Sequence, residues 1–123
     1  MARFPADVIE RFDKEKTVEI ETQSAKGTKH SVPIWIVVAD DVPYVRSVRG
    51  PQGRWYRELL ARGEGAIVAR GTRTPVKAVH DRSKTAIDAT SAGLRRKYKS
   101  SGQSLASMLV DDVLDTTVRL EPV

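Results

Sequence analysis

Residues 16–22 alternate strictly between apolar and polar positions: Val18 and Ile20 fall on one face of an extended chain, and glutamates fall on the other. This period of two predicts a strand with one solvated face. Residues 30–39 then form an almost continuous apolar run, which is typical of a strand covered on both faces. Pro33 lacks a backbone donor, so we expect a gap in the hydrogen-bond ladder there, as at a sheet edge or beside a ligand.

Helical spacing and short apolar stretches define the remaining elements. Apolar residues three and four positions apart predict helices over 5–13, 52–62, 84–99 and 103–111. Gly63 is expected to end the second helix as a left-handed cap. Further strands are predicted over 43–49, 65–70, 74–80 and 115–121. Asp40–Asp41 and Gly71–Thr72 are expected to form hairpin turns.

The order of these elements predicts the fold class. Most of the six strands follow one another as hairpins, with one helix inserted after the third strand. Antiparallel hairpins with helices set to one side predict an α+β domain rather than a doubly wound sheet. Six short strands around one core indicate a small closed or half-closed barrel. The chain has 123 residues, so we expect one domain, 1–123.

Composition narrows the classes of function. The net charge is +5, and basic residues concentrate at 46–57 and 95–99, which fits a nucleic-acid surface or a pocket for a small anion. Aromatic residues are too few for a base-stacking platform, so nucleic acid is the less favoured interpretation. Cysteine is absent, which excludes disulfides and cysteine-based zinc sites and fits a cytoplasmic location. No stretch approaches the roughly 20 apolar residues of a membrane span, so we expect no membrane association of that kind.

The segment 43–63 carries the strongest candidate site. A predicted strand leads into a glycine-containing turn and then a helix, and the turn is rich in arginine. Unpaired amides at a helix start and planar guanidinium groups both favour a phosphate. The candidate phosphate ligands are Arg46, Ser47, Arg49 and Arg54, with the turn residues Gly50 and Gly53. The alternative is a solvated turn in which the glycines serve geometry and the arginines cover apolar surface.

Pro33, Trp35 and Trp55 are candidates for contact with a planar ring. Tryptophan at such positions also commonly belongs to the core, and the sequence leaves both uses open. The two histidines, His30 and His80, have no second metal ligand at recognisable spacing, so no metal site is expected. No serine-nucleophile motif or acid–base pair is present, and no residue is assigned a catalytic role.

Two stretches resemble the flavin-binding split β-barrel proteins: HSVPIWIVVADDVPYVRS and, after it, GRWYRELLARGEGAIVA. These proteins include the pyridoxamine-phosphate oxidase-like group and the deazaflavin-dependent nitroreductase group. The positions that fit the deazaflavin group best are Ser47, Gly50, Gly53, Trp55, Tyr56, Leu59 and Ala61. An uncharacterised domain-of-unknown-function family within the superfamily is the closest match, through Arg46–Gly50, Trp55–Arg57 and Lys97–Tyr98.

The resemblance implies a six-stranded antiparallel split β-barrel with short flanking helices, commonly a homodimer. It implies an oxidoreductase that uses FMN or a deazaflavin coenzyme, with the phosphate at the arginine turn and the ring against Pro33 and Trp35. Some split barrels bind haem or no cofactor, so a non-catalytic interaction module with a vestigial cleft is the alternative. One position departs from the pattern: the deazaflavin group usually has Asn after Trp-Tyr-x, where this chain has Glu58.

Overall fold

The computed structural model describes residues 3–123, so the first two residues of the predicted domain lie outside the described part. The described residues form five helices: α1 (Ala6–Lys14), α2 (Arg54–Arg62), α3 (Lys84–Lys97), α4 (Gly102–Ser107) and α5 (Asp111–Leu114). Seven strands lie within the same residues: β1 (Val18–Gln23), β2 (Lys29–Ile34), β3 (Val37–Ala39), β4 (Val42–Val45), β5 (Glu64–Ala69), β6 (Thr72–His80) and β7 (Val118–Pro122). A 3₁₀ turn at Gly50–Gln52 precedes α2.

The strands form one antiparallel sheet in the order β2-β1-β5-β6-β7-β4-β3. Its two edge strands, β2 and β3, are consecutive in sequence and are joined only by Trp35 and Ile36. Three Cα–Cα steps span at most about 11 Å, so the sheet must curl until its edges come close together. The predicted α+β fold with a half-closed antiparallel barrel is therefore confirmed.

The prediction of one strand over 30–39 was wrong, because the chain leaves the ladder at Trp35 and Ile36. Two side chains at the C-terminal end of α3 form hydrogen bonds with the backbone of Ile36. The Ile36 N–H donates to Tyr98 Oη at 3.2 Å, and the Ile36 carbonyl accepts from Lys97 Nζ at 2.7 Å. These bonds replace strand partners at the break. The count is therefore seven strands instead of six, and Pro33 lies in an edge strand, where a missing donor is tolerated.

Smaller differences concern element ends. The predicted strand 43–49 ends at Val45, and the predicted helix 103–111 divides into α4 and α5. The β5–β6 hairpin turns at Arg70 and Gly71, one residue earlier than predicted, with φ values of 52° and 76°. The Asp40–Asp41 turn is confirmed with positive φ at both residues, and Gly63 ends α2 with φ 74°.

Helix α2 packs closely on the sheet, which fixes the position of its first turn. Leu59 is fully buried in the main core with Ile20 and Ile67. A Cβ atom added at Gly65 would lie 2.7 Å from the Glu21 carbonyl oxygen and 2.9 Å from Leu59 Cδ1, so the close approach requires glycine. Among residues 3–123, no helix has the length and apolar character needed to cross a membrane.

Candidate functional site

Two adjoining pockets of about 330 and 490 Å³ lie where the edge strand β2 meets the β4–α2 connection. Both are lined by Pro33, Val48 and Trp55, so they form one continuous cleft. The aromatic pocket is lined in addition by Ile34, Trp35, Arg46, Ser104, Ser107 and Met108. The loop pocket is lined in addition by Val32, Ser47, Arg49, Gly53 and Arg54. Eight of the nine predicted site residues therefore line the cleft, and Gly50 does not.

Trp35 forms a fixed aromatic wall of the cleft. Its indole stacks on the phenol ring of Tyr98, with the ring centroids 4.0 Å apart and the planes within 6°. Tyr98 is buried, and its hydroxyl donates to the Lys16 carbonyl at 2.6 Å. Burial raises the pKa of Tyr98 to about 12, so the phenol stays neutral and keeps its proton for that bond. The stack covers one face of the indole, and the rest of Trp35 is available to the aromatic pocket.

Arg49 and Arg54 line the loop pocket, and both are exposed. Within residues 3–123, neither guanidinium group makes a hydrogen bond or ion pair of its own. Gly53 is the N-cap of α2, and no side chain bonds to the first amides of the helix. The amides and the two arginines together provide the donors that a phosphate requires.

Ser47, Gly50 and Gly53 shape the turn that carries these groups. Ser47 is 1% exposed, and its hydroxyl donates to the Gly50 carbonyl at 2.8 Å. Its amide donates to Thr116 Oγ1 at 3.1 Å, which ties the turn to the chain before β7. A Cβ atom at Gly53 would collide with Ser47 Oγ, and Gly50 has φ 63°. The hydroxyl of Ser47 is therefore engaged in holding the turn.

Arg46 lies under the aromatic pocket instead of beside Arg49 and Arg54. Its side chain is 2% exposed and donates four hydrogen bonds of 3.0 Å within the protein. The acceptors are Thr117 Oγ1, Ser91 Oγ and the carbonyl oxygens of Met108 and Ile87. These bonds join β4 to α3, α4 and the start of β7, which assembles the pocket around the guanidinium group.

Glu58, the position that departs from the deazaflavin pattern, points away from the cleft. Its carboxylate accepts from Thr22 Oγ1 at 2.8 Å and contacts His30 Nδ1 at 3.0 Å. Partial burial would raise the pKa of Glu58, but the hydrogen bonds from His30 and Thr22 outweigh it and lower the pKa. The residue lines neither pocket of the cleft, but its charge interacts with that of Arg54, which lines the loop pocket.

Sequence reasoning missed several residues of the site. Ser104, Ser107 and Met108 of the α4 region line the aromatic pocket with Pro33 and Trp35, and their helical spacing does not mark them as site residues. Lys97 belongs to the basic run 95–99, but its Nζ donates to the carbonyl oxygens of Phe12 and Ile36 at 2.8 and 2.7 Å. Burial lowers the pKa of Lys97 to about 8. In the described part of the chain, no three His, Asp or Glu side chains converge as metal ligands.

The sequence over residues 8–120 matches the family described as uncharacterised proteins conserved in bacteria, DUF2255, and the chain belongs to this family. No curated protein sequence matches it significantly. The expected membership of a domain-of-unknown-function family is therefore confirmed.

Three solved structures illustrate the fold relationship. An F420-H2-dependent reductase, FDR-A, has a TM-score of 0.65 at 15% identity, covering 87% of this chain and 95% of its own. HutZ, the haem storage protein from Vibrio cholerae, has a TM-score of 0.62 at 16% identity, covering 98% and 91%. A conserved hypothetical protein from Mycobacterium tuberculosis has a TM-score of 0.67 at 14% identity, covering 100% and 81%. At these identities the likeness shows the split-barrel fold alone.

Proposed function

We propose that this protein binds a phosphorylated planar cofactor, FMN or a deazaflavin coenzyme, in the cleft and acts as an oxidoreductase. The observation that carries the proposal is the continuity of the cleft: an aromatic pocket with Trp35 and Trp55 opens directly into a loop pocket with Arg49 and Arg54. A cofactor with a flat ring attached to a phosphate would match this arrangement, with the ring in the aromatic pocket and the phosphate in the loop pocket. The likeness to an F420-H2-dependent reductase supports a cofactor of this type.

The residues fit the group by chemistry as well as by position. Together the two pockets fall in the size range of about 300–1,000 Å³ that is usual for ligand sites. Trp35 is held by its stack on Tyr98, so it offers a rigid surface at little entropic cost. Within the described chain neither Arg49 nor Arg54 makes a hydrogen bond or a salt bridge, although the charge of Arg54 interacts with that of Glu58, so both can pair with phosphate oxygens.

In this proposal the cofactor carries the reaction and the protein binds and orients it, so no acid–base pair is required. When bound, such a cofactor supplies hydride chemistry itself. The chain's residues orient the ring between Pro33, Trp35 and Trp55, anchor the phosphate at Arg49 and Arg54, and exclude water from the ring pocket. Ser47, Gly50 and Gly53 support this by shaping the turn, and Arg46 supports it by joining α3 and α4 to the sheet.

The homodimer and the cytoplasmic location belong to the same proposal. The outer edge of β2 has no strand partner within the described chain, and Val48, which lines the cleft beside it, is 53% exposed. A second copy covering this side would shield the cleft from water. Light scattering of the purified protein tests the dimer directly. The cytoplasmic location rests on the absence of cysteine.

Haem is the second candidate ligand, favoured by the likeness to a haem storage protein. Haem iron usually needs a histidine, cysteine, tyrosine or methionine ligand. Of these, only Met108 lines the described cleft: His30 is held by Glu58, and His80 contacts Tyr56 Oη. The geometry therefore favours the flavin-type cofactor over haem.

Titration of the purified protein with FMN, a deazaflavin coenzyme and haem, followed by quenching of tryptophan fluorescence, tests the proposal. We expect FMN or the deazaflavin to bind with a Kd below about 100 μM, equivalent to roughly 5.5 kcal/mol. Weaker binding of both would overturn the oxidoreductase proposal. Binding of haem alone would replace it with a haem-binding function, and binding of none would favour the non-catalytic interaction module.

A further inference from the structure

Arg46 is a buried cation without a counter-ion. All four acceptors around its guanidinium group are neutral, being two hydroxyl groups and two backbone carbonyl groups. Among residues 3–123, no carboxylate forms an ion pair with it. A buried charge is strongly unfavourable unless an opposite charge compensates it. The protein therefore carries an uncompensated positive charge at the floor of the aromatic pocket.

The electrostatic surroundings make this charge more unfavourable still. Burial is the main cause that lowers the pKa of Arg46 to about 10, and the positive charge of Arg95 lowers it further. Nη2 makes one hydrogen bond, to the Ile87 carbonyl, which leaves its second N–H without an acceptor in the described chain. An anion that entered the pocket would offer both a counter-charge and an acceptor.

The position of Arg46 indicates which part of a ligand it meets. It lines the aromatic pocket with Trp35 and Trp55, whereas the exposed arginines line the loop pocket. In the proposed binding mode the phosphate lies at Arg49 and Arg54, so Arg46 lies beneath the ring. Its partner must therefore be negative charge on the ring itself.

We propose that Arg46 is the counter-ion of the bound ring, and that the aromatic pocket selects a ring that is negatively charged over the same ring in its neutral form. This inference rests on the proposed function. The ring of FMN would be neutral when oxidised, and it would become an anion when a reductant such as dithionite supplied two electrons and water supplied only one proton. Arg46 stays protonated throughout and stabilises the anion by its charge, as a positioning and specificity residue.

Direct removal of Arg46 is a poor test, because Arg46→Met leaves four acceptors unsatisfied and endangers the fold. A carboxylate placed in the pocket neutralises the charge and leaves the network in place. Ser104 and Ser107 are exposed residues that line the same pocket, so Ser104→Asp and Ser107→Asp are the test variants. Ser100→Asp is the matched control, because this substitution makes the same change in net charge. Ser100 is also exposed, and it lines neither pocket.

The first measurement needs no cofactor. We expect Ser104→Asp or Ser107→Asp to give a higher melting temperature than Ser100→Asp in the free protein, because the new carboxylate supplies the missing counter-charge. Equal melting temperatures for all three variants would show that the charge of Arg46 needs no partner and would overturn the inference.

The second measurement is the two-electron reduction potential of bound FMN, recorded with dithionite and a reference dye. If only the deazaflavin binds, the melting temperatures of the first measurement decide the inference. We expect the wild type to bind the reduced ring at least tenfold more tightly than the oxidised ring, which raises the potential by about 30 mV relative to the free cofactor. Ser100→Asp should keep this preference, and the pocket aspartate should remove most of it.

The outcomes separate the two proposals. Failure of the wild type to bind either cofactor overturns the proposed function and this inference with it. Binding with no preference for the reduced ring, or with the same preference in Ser107→Asp, Ser104→Asp and Ser100→Asp, leaves the proposed function intact and overturns only the role of Arg46.

Discussion

The indole of Trp35 and the phenol ring of Tyr98 lie parallel, with their centroids 4.0 Å apart. The hydroxyl group of Tyr98 also accepts a hydrogen bond from the backbone amide of Ile36, which lies 62 positions earlier in the sequence. Tyr98, at the C-terminal end of α3, therefore has two roles at the point where the edge strands β2 and β3 meet. It supports the ring wall of the cleft, and it satisfies the backbone where the apolar run leaves the ladder.

These two tasks of Tyr98 are separable. Tyr98→Phe keeps the stack but removes the hydroxyl that accepts from the Ile36 amide and donates to the Lys16 carbonyl, so we expect a loss of about 1–3 kcal/mol in the free energy of unfolding. Cofactor affinity should change little, because the aromatic surface behind Trp35 remains. Urea denaturation and fluorescence titration measure the two effects.

Tyr44→Phe is the control for that substitution, since the Tyr44 hydroxyl makes no hydrogen bond within residues 3–123. It should change stability by no more than about 0.5 kcal/mol. Similar losses in both variants would show that the bond to Ile36 contributes nothing specific.

Arg49 and Arg54 should contribute to affinity and not to stability. Each lies free at the loop pocket, so Arg49→Ala and Arg54→Ala should leave the melting temperature nearly unchanged. A lost charge-assisted bond to phosphate costs about 1.5–3 kcal/mol, or roughly a 10- to 150-fold weaker Kd. Arg57→Ala is the control, because Arg57 is exposed on the same helix but lines neither pocket of the cleft. Parallel losses of affinity and stability would assign these arginines a structural role.

Gly53 and Ser47 should show strong energetic coupling. A methyl group at Gly53 collides with Ser47 Oγ, although φ −58° and ψ 128° suit any residue. Gly53→Ala should therefore cost about 1–3 kcal/mol, the usual penalty for overpacking. In a Ser47→Ala background the colliding oxygen is gone, and the cost should fall by at least half. Additive effects in this double-mutant cycle, measured by urea denaturation, would contradict the geometry.

Lys97 should give stability a specific dependence on pH. Burial holds its folded pKa at about 8, below the ordinary value of 10.5. Between these values the unfolded chain binds more protons than the folded one, so the contribution of Lys97 to stability rises as pH increases from about 8 to 10.5. The difference in free energy of unfolding between wild type and Lys97→Met should therefore grow with pH in favour of the wild type. Lys99→Met, at an exposed position nearby, should show no such trend.

Much of the fold was accessible from local pattern. The alternation at Val18–Gln23, the paired aspartates of the β3–β4 turn and the glycine cap at Gly63 each follow from rules that act within a few residues. The break at Trp35 and Ile36 was not accessible, because an apolar run looks the same whether strand partners or distant side chains satisfy its backbone. The bonds that decide it come from Lys97 and Tyr98.

The candidate site was likewise predictable from the sequence only in part. The arginine turn and the tryptophans were found because charge and aromatic content are visible in sequence, and they do line one cleft. The different placement of Arg46 could not be predicted, since its acceptors lie more than 40 positions away. Residues that are close in sequence had suggested one arginine cluster, and these distant acceptors bury Arg46 while Arg49 and Arg54 stay exposed.

The two-residue link between β2 and β3 places Trp35 at the point where the two edge strands of the curled sheet meet. No hydrogen-bond ladder joins these edge strands, so the link at Trp35 and Ile36, with the bonds of Tyr98 and Lys97 to Ile36, holds them together at that point. One inserted residue would lengthen this link by about 3.5 Å, close to the thickness of an aromatic ring. A longer link would therefore shift Trp35 relative to Tyr98, and the aromatic wall of the cleft would be lost although every residue that lines the pocket is still present.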